Sequence, residues 1–238
     1  MDLGLTGVVA LVVGGTGVIG TAVARSLVAE GAVVVLAARN DEKLKQVSAE
    51  VGAAGWVTVD TRDGSSVDLM VARVIAGHGP IGVLVNTAAP SALTLDSSRD
   101  RDPLQVLDAI DGKALGYLRV ASAVLPGMQA AGFGRIITVS GQNALITGSI
   151  TGSVRNAATI VVSKNLADAL AGSGVTANVV NPGLVTENPS SDVALAKGGD
   201  STPEQVAGLI TYLASRLGAA ISGESIAVGH RVRGVASF

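Results

Sequence analysis

Short apolar runs alternate with helical segments along all 238 residues of the chain. The first run, Val8–Val13, is wholly apolar and rich in β-branched residues, which is typical of a strand buried on both faces. Parallel strands need crossover connections, and these are usually helices. The alternation therefore predicts an α/β fold of the Rossmann type, a doubly wound parallel sheet of about seven strands with helices on both faces. We expect residues 1–238 to form a single domain, since neither a linker nor a repeat interrupts the pattern.

The predicted elements follow from the apolar patterns and the capping residues. The strands are expected at Val8–Val13, Val33–Ala37, Trp56–Val59, Val83–Asn86, Arg135–Ser140, Val175–Asn181 and Ser225–Val228. Helices are expected at Thr21–Glu30, Asp41–Val51, Pro103–Ala130 and Ser153–Ala171, and two more are expected to begin after Ser65 and at Pro203. Asp41, Ser65 and Thr202 are the expected caps, and Gln205 completes a capping box with Thr202. The mixed-charge run Ser97–Asp102 is interpreted as a solvated loop.

Composition excludes several classes of function. A net charge of -2 gives no electrostatic basis for binding nucleic acid or an anionic membrane. The chain has no cysteine and only two histidines, so a disulfide or a zinc site is not expected. Val8–Val13 is too short to span a bilayer, and the N-terminus lacks the charged region of a signal peptide. We expect a cytoplasmic protein.

A glycine-rich loop directly follows the first strand and opens the first helix. Glycine permits a tight turn and a close approach of a pyrophosphate, while the helix N-terminus supplies free N–H groups. A plain glycine-rich turn is the alternative. The pattern favours a dinucleotide phosphate site at Gly14, Thr16, Gly17, Val18, Ile19 and Gly20.

At these motifs and others the chain resembles the short-chain dehydrogenase/reductase family. Gly14, Gly17 and Gly20 have the GxxGxxG spacing of the family's extended members. An acid follows the third strand, the stretch 86–89 stands at the family's NNAG motif, and the stretch 181–186 matches its PGxxxT segment. The resemblance implies a dimer or tetramer and contacts between a nicotinamide dinucleotide and Asp60, Thr61, Asn86, Ala88, Pro182, Gly183 and Val185.

The end of the second strand favours NADP(H) over NAD(H). An NAD enzyme usually places an acid there to hold the ribose diol. This chain has Ala38 followed by Arg39, whose planar guanidinium suits a 2′-phosphate. A solvated arginine at a helix start is the alternative.

The family's catalytic Asn, Ser, Tyr and Lys are replaced in this chain. Two registers are open for the YxxxK motif, Gly152 with Asn156 or Ile160 with Lys164, and the distance to Pro182 favours the first. Neither register supplies a tyrosine.

The catalytic serine and asparagine positions are altered as well. The usual serine falls at Gly141, with Ser140 one position earlier, and the asparagine falls at Lys113. Lysine and asparagine are thus exchanged between Lys113 and Asn156, which would keep one ammonium near the nicotinamide ribose; a solvated Lys113 is the alternative. Tyr117, one helical turn later, is interpreted as a packing residue rather than a relocated phenol.

Three functions remain open. The first is an NADP(H)-dependent oxidoreductase that acts on a small carbonyl, imine or activated alkene, with Lys113, Ser140 and Asn156 as candidate catalytic residues. The second is a non-catalytic or regulatory nucleotide-binding protein. The third is a lyase or isomerase on the same fold. The polar segment Glu187–Ser201 is expected to cover a small-molecule substrate.

Overall fold

The computed structural model describes residues 2–90 and 94–235 of the chain. Seven strands form one parallel sheet in the order β3-β2-β1-β4-β5-β6-β7, which confirms the predicted doubly wound sheet. The strands are β1 Val9–Val13, β2 Val33–Ala38, β3 Gly55–Thr58, β4 Ile81–Asn86, β5 Gly134–Val139, β6 Val175–Pro182 and β7 Ser225–Val228. The α-helices in the described ranges are α1 Val18–Ala29, α2 Asp41–Val51, α3 Gly64–His78, α4 Pro103–Ile110, α5 Gly116–Ala131, α6 Ile150–Ala169 and α7 Pro203–Ala214.

Two aliphatic cores lie on opposite faces of the sheet. One face packs against α1, α2 and α7, and the other packs against α3, α5 and α6. The strand order reverses between β1 and β4, so the connections from these two neighbours diverge to opposite sides. In a doubly wound sheet this reversal opens a crevice at the carboxyl ends of the strands, where ligands bind.

Helix α1 begins at Val18, three residues before the predicted start at Thr21. Gly17 has an extended backbone and is the N-cap, so the last part of the glycine loop is the first helical turn. Gly20 lies in this turn so close to Gly14 that an added Cβ would be 2.2 Å from the Gly14 carbonyl oxygen. The glycines therefore allow the tight turn and also let the first turn of α1 pack closely against the loop.

Two predicted caps were wrong by one or two residues. Asn40, not Asp41, caps α2, and Asp63, not Ser65, caps α3. Each true cap has an extended backbone and a side chain that accepts from an N–H of the first turn. Sequence alone does not say which of several neighbouring polar residues adopts that conformation.

Helix α6 also begins earlier than predicted, at Ile150 after a Ser149 cap rather than at Ser153. The capping box of Thr202 and Gln205 at α7 is confirmed. Strand β7 has the predicted bounds, and the other strands differ from their predicted bounds by at most two residues at either end.

The single long helix predicted for Pro103–Ala130 is three segments. A five-residue π-helical turn, Asp111–Leu115, separates α4 from α5. Gly112 lies in this turn against Pro90, and an added Cβ would be 2.9 Å from the Pro90 Cγ. A π-turn widens the helix locally and is frequent at functional sites. Here it carries Lys113.

The run Ser97–Asp102 is largely exposed to solvent, as predicted, but it contains a short 3₁₀ turn at Ser97–Arg99 and its acids form hydrogen bonds. Asp102 caps α4. The Asp100 carboxylate accepts hydrogen bonds from the backbone N–H of Ile150 at 2.7 Å and of Thr151 at 3.1 Å. The side chains of this run therefore connect α4 to the first turn of α6.

Across residues 2–90 and 94–235, no helix combines the length and the apolar character needed to cross a bilayer. The same ranges contain no cluster of three or more His, Cys, Asp or Glu side chains placed to hold a metal ion.

Candidate functional site

A cleft of about 280 Å³ lies at the carboxyl ends of β1, β2, β3 and β4, beside the reversal in strand order. Its wall brings together many of the residues predicted to bind a dinucleotide. They are Gly14, Thr16, Gly17, Arg39, Asp60, Thr61 and Ala88. The other predicted residues lie outside this lining, namely Val18, Ile19, Gly20, Asn86, Pro182, Gly183 and Val185.

The glycine loop forms a shallow cradle that a side chain would fill. Gly14 has a φ of +84°, and an added Cβ would lie 2.5 Å from the Ala88 backbone nitrogen. The N-cap Gly17 offers no side-chain oxygen to the first turn of α1, and that turn contains no acid. The first N–H groups of a helix lack partners within it. The cradle therefore has the close-packed glycines and the unpartnered helix N–H groups that a phosphate site requires.

Arg39 lies at the rim of the cleft, directly after β2. Its side chain is exposed, and the described residues place no carboxylate within ion-pair distance of its guanidinium. Asn40, the neighbouring residue in the wall, is occupied with capping α2. Arg39 is thus available to a ligand with a negative charge at this end of the cleft.

The loop after β3 forms the opposite wall. The Asp60 carboxylate accepts from the backbone N–H of Arg62 at 3.0 Å and stays exposed to the cleft. Sequence reasoning did not single out Arg62, whose guanidinium binds Asp108 on α4. This pair ties the β3 loop to the helix that precedes the π-turn.

The end of β4 carries a buried polar side chain without a partner. Asn86 is completely buried, and neither its Nδ2 nor its Oδ1 has a hydrogen-bond partner among the described residues. The next residue, Thr87, donates its hydroxyl to the Val13 carbonyl at 2.9 Å and so joins the ends of β4 and β1. Ala88 follows in the cleft wall.

The segment after β6 packs against two other segments rather than lining the cleft. Gly183 lies against Gly199, where an added Cβ would be 2.3 Å from the Gly199 carbonyl oxygen. The Gly199 N–H in turn donates to the His230 carbonyl at 2.7 Å. Val185 forms an isolated parallel bridge with Ser201. The segment predicted to cover the substrate is therefore fixed between the end of β6 and the C-terminal residues.

Lys113 and Asn156, which the sequence predicted to face each other, are in direct contact. The Lys113 ammonium donates to the Asn156 Oδ1 at 2.7 Å and to the Ser140 carbonyl at 3.1 Å. Lys113 is only 5% exposed, so the alternative of a solvated lysine is wrong. Lys164, the other candidate register, lies on the exposed side of α6 and pairs with Asp168.

The environment of Lys113 favours its neutral form. Burial, and secondly the positive charge of Arg155, lower the pKa of the Lys113 ammonium from 10.5 to about 7. The Ser140 hydroxyl donates to the Asn156 carbonyl at 2.9 Å, so it supports α6 rather than facing a ligand. Tyr117 is buried nearby, and burial raises the pKa of its phenol, which agrees with a packing role.

Sequence reasoning missed Arg155. It is 5% exposed, and its Nη1 donates to the Pro90 carbonyl at 3.0 Å. Its Nε is buried and has no partner in the described residues. The signal in the sequence is its position beside Asn156, in a helix turn otherwise made of small and apolar residues.

The two positions that lack a hydroxyl differ in their surroundings. An added Cβ at Gly141 would lie 3.4 Å from the Asn156 Nδ2, so this position faces the Lys113–Asn156 pair. An added Cβ at Gly152 would lie 3.1 Å from the Oγ of Ser149, the cap of α6. Gln142, in the loop after Gly141, donates its amide N–H groups to the carbonyls of Val228 and His230.

Comparison with known proteins decides the family. The family model described as short chain dehydrogenase matches residues 8–194. The chain belongs to the short-chain dehydrogenase family. The prediction of an oxidoreductase family from the glycine loop and the later motifs is therefore confirmed.

Curated relatives span nearly the whole chain. A protein of Streptomyces virginiae with the name "Monensin polyketide synthase putative ketoacyl reductase" is 34% identical, covering 92% of this chain and 95% of the relative. The 3-oxoacyl-(acyl-carrier-protein) reductase FabG of Escherichia coli K12 is 30% identical, covering 93% of this chain and 96% of the relative. Among solved structures, a variant of actinorhodin polyketide ketoreductase with NADPH has a TM-score of 0.81 at 27% identity, covering 96% of this chain and 98% of the other.

Proposed function

We propose that this protein is an NADP(H)-dependent oxidoreductase that reduces a small carbonyl, imine or activated alkene and uses Lys113 as its proton donor. The observation that carries the proposal is the buried contact between the Lys113 ammonium and Asn156. Two of the relatives carry reductase names for ketoacyl or oxoacyl substrates, and a structural neighbour is a ketoreductase with NADPH. These similarities support the reaction class.

The residues of the cleft fit a phosphorylated dinucleotide. The Gly14 cradle and the first turn of α1 would hold the pyrophosphate, and Asp60 and Thr61 would lie against the adenine. Arg39 would bind the 2′-phosphate, which favours NADP(H) over NAD(H). When bound, the reduced cofactor supplies a hydride to an electrophilic carbon of the substrate.

Lys113 would provide the proton that completes the reduction. An ammonium has three N–H donors, and two of them are directed at Asn156 and Ser140. The third is left for the substrate oxygen or nitrogen, on which negative charge develops as the hydride arrives. Transfer of the proton leaves a neutral amine, which takes up a proton from water before the next turnover. A pKa of about 7 suits this exchange at neutral pH.

The exchange of residues in the site is part of the proposal. In the register favoured by the sequence, Gly152 and Gly141 replace the family's tyrosine and serine, and Lys113 and Asn156 have changed places. A positioned acid typically contributes about 10²–10⁴-fold to such a reaction. Ordinary ketones, which lack any activation of their own, should therefore be poor substrates.

The decisive experiment follows NADPH oxidation at 340 nm, the absorbance of the reduced nicotinamide, against panels of small ketones, imines and enones. Lys113→Met should abolish the turnover found, and Lys113→Arg should restore little because guanidinium is a poor acid. Lys164→Met is the matched control, since Lys164 is an exposed lysine paired with Asp168. Full activity of Lys113→Met would refute the role of Lys113.

A non-catalytic nucleotide-binding protein is the second candidate. The absence of a side-chain hydroxyl at both Gly141 and Gly152 favours it. Tight NADPH binding without turnover of any substrate in the three panels would make it the better interpretation. Turnover without net oxidation of NADPH would instead favour a lyase or isomerase.

We also propose that the chain forms a dimer or tetramer. Apolar side chains on α4 and α6 remain exposed in the single chain, among them Leu104 at 70%, Leu107 at 60% and Val161 at 60%. A second copy that covers these helices would remove them from water. The single domain over residues 1–238 and the cytoplasmic location remain predictions from the sequence.

A further inference from the structure

Lys113 and Arg155 are two buried basic side chains without an acidic partner in the part of the chain that the structure describes. Each is 5% exposed, and the charge of Arg155 acts on Lys113. In the ranges 2–90 and 94–235, no carboxylate forms an ion pair with either of them. Asp111, the acid closest along the chain to Lys113, is directed at Arg119 at 2.6 Å. The acid nearest to Lys113 along the chain is therefore already paired with another arginine.

Such a pair is unusual because buried charges in proteins are normally paired. Taking a charged group out of water costs several kcal/mol unless an opposite charge or a full set of hydrogen bonds offsets it. Lysine can lose its proton to avoid this cost, but arginine stays protonated in proteins. The guanidinium of Arg155 therefore keeps its positive charge inside the site.

The hydrogen bonds of Arg155 leave one edge of the guanidinium without a partner among the described residues. Its Nη1 donates to the Pro90 carbonyl, which fixes the position of the group. The Nε is buried without a partner among the described residues. The Nε–Nη2 edge of a guanidinium can bind both oxygens of a carboxylate through two parallel hydrogen bonds.

A buried polar side chain at the end of β4 also lacks partners within the described ranges. Asn86, at the end of β4 four residues before Pro90, has both of its buried side-chain polar atoms unpartnered. Two residues of the cleft wall adjoin these side chains. The Pro90 carbonyl accepts a hydrogen bond from Arg155, and Gly112 directly precedes Lys113 in the chain. Arg155 therefore contacts one residue of the cleft wall, and Lys113 is the chain neighbour of another.

We infer that Lys113 and Arg155 form a subsite for a carboxylate on the substrate, so that the protein acts on a small oxo or imino acid rather than on a neutral ketone. This deepens the proposed function and rests on it. The carboxylate would take the Nε–Nη2 edge of Arg155, and the reacting oxygen or nitrogen would take the free N–H of Lys113. A planar carboxylate matches the two donors of that edge, whereas a phosphate monoester brings a third oxygen and a larger charge into the same buried space.

The first test measures binding and needs no turnover. Malonate and its uncharged isostere malonamide are added to the full chain saturated with NADP⁺, and the melting temperature is recorded. We expect malonate to raise the melting temperature and malonamide to leave it unchanged. Arg155→Gln should remove the response, Arg155→Lys should keep part of it, and Arg25→Gln should keep all of it because Arg25 is an exposed arginine paired with Glu50. Equal responses to malonate and malonamide, or none to either, would overturn the subsite.

The second test measures specificity. We expect kcat/KM for 3-oxobutanoate to exceed that for its methyl ester, and Arg155→Gln to lower the value for the acid by about 10- to 100-fold, the loss expected for a hydrogen bond to a charged group. The value for the ester should change less than about threefold. Equal kcat/KM values for the acid and the ester would overturn the subsite and leave the reductase proposal intact. A malonate response without any NADPH turnover would support the subsite and reject the reductase.

Discussion

Replacement of Lys113 by methionine should make the protein more stable, by an amount that depends on pH. Methionine fills a similar volume but carries no charge to bury. The pKa of Lys113 falls from 10.5 to about 7 in the folded chain, which corresponds to about 5 kcal/mol of unfavourable free energy for the buried ammonium. The variant also loses the hydrogen bonds to Asn156 and Ser140, which offsets about 1–3 kcal/mol of this gain.

The sign of the pH dependence follows from the two pKa values. Between pH 7 and 10.5 the unfolded chain holds the Lys113 proton and the folded chain has released it, so the stability of the native protein rises with pH across this window. Below pH 7 both states hold the proton and the full cost is present. The advantage of Lys113→Met should therefore shrink by about 3 kcal/mol between pH 6.5 and pH 9.5.

Urea unfolding measures the difference in the free energy of unfolding between the two proteins at pH 6.5, 8 and 9.5. The comparison requires equal m-values for both proteins. The exposed Lys164→Met is the control, and its free energy of unfolding relative to the native protein should stay constant over the same range. A difference in the free energy of unfolding between Lys113→Met and the native protein that does not change with pH would refute the reasoning. It would mean that burial does not lower the pKa of the Lys113 ammonium.

The other predictions concern activity, cofactor choice, the cradle and assembly. The rate of reduction should fall as pH rises through about 7, because only the protonated Lys113 can donate; a pH–rate profile that stays flat to pH 9 would contradict this. Arg39→Ala should weaken NADPH binding by about 10- to 100-fold and leave NADH binding little changed, as measured by fluorescence titration; equal losses for both would reject the phosphate role. Gly20→Ala should lower stability and abolish cofactor binding, because its Cβ would overlap the Gly14 carbonyl oxygen, which calorimetry and the same titration would check. Light scattering should show a dimer or tetramer at micromolar concentration and a monomer for Val161→Glu, whereas a monomeric native protein would refute the assembly.

Local patterns determined much of this protein in advance. The apolar run that became β1, the glycines after it and the repeated alternation were sufficient for the doubly wound sheet, since strand burial and turn formation depend on neighbouring residues. The same holds for the cradle at Gly14 and for the capping box of Thr202 and Gln205. The juxtaposition of Lys113 and Asn156 was also predicted, because a family resemblance fixes which helices face each other.

Only the tertiary structure decided how charged and capping groups are shared between distant segments. Nothing near Asp100 in the sequence indicates that its carboxylate joins the first turn of α6 fifty residues later. The guanidinium of Arg155 binds the Pro90 carbonyl of a different loop, and Gly112 in the widened turn beside Lys113 packs against that same proline. Sequence patterns indicate which face of a helix or strand is apolar. The free-energy cost of burying a charged side chain depends instead on its neighbours in three dimensions, and these come from elements far apart along the chain.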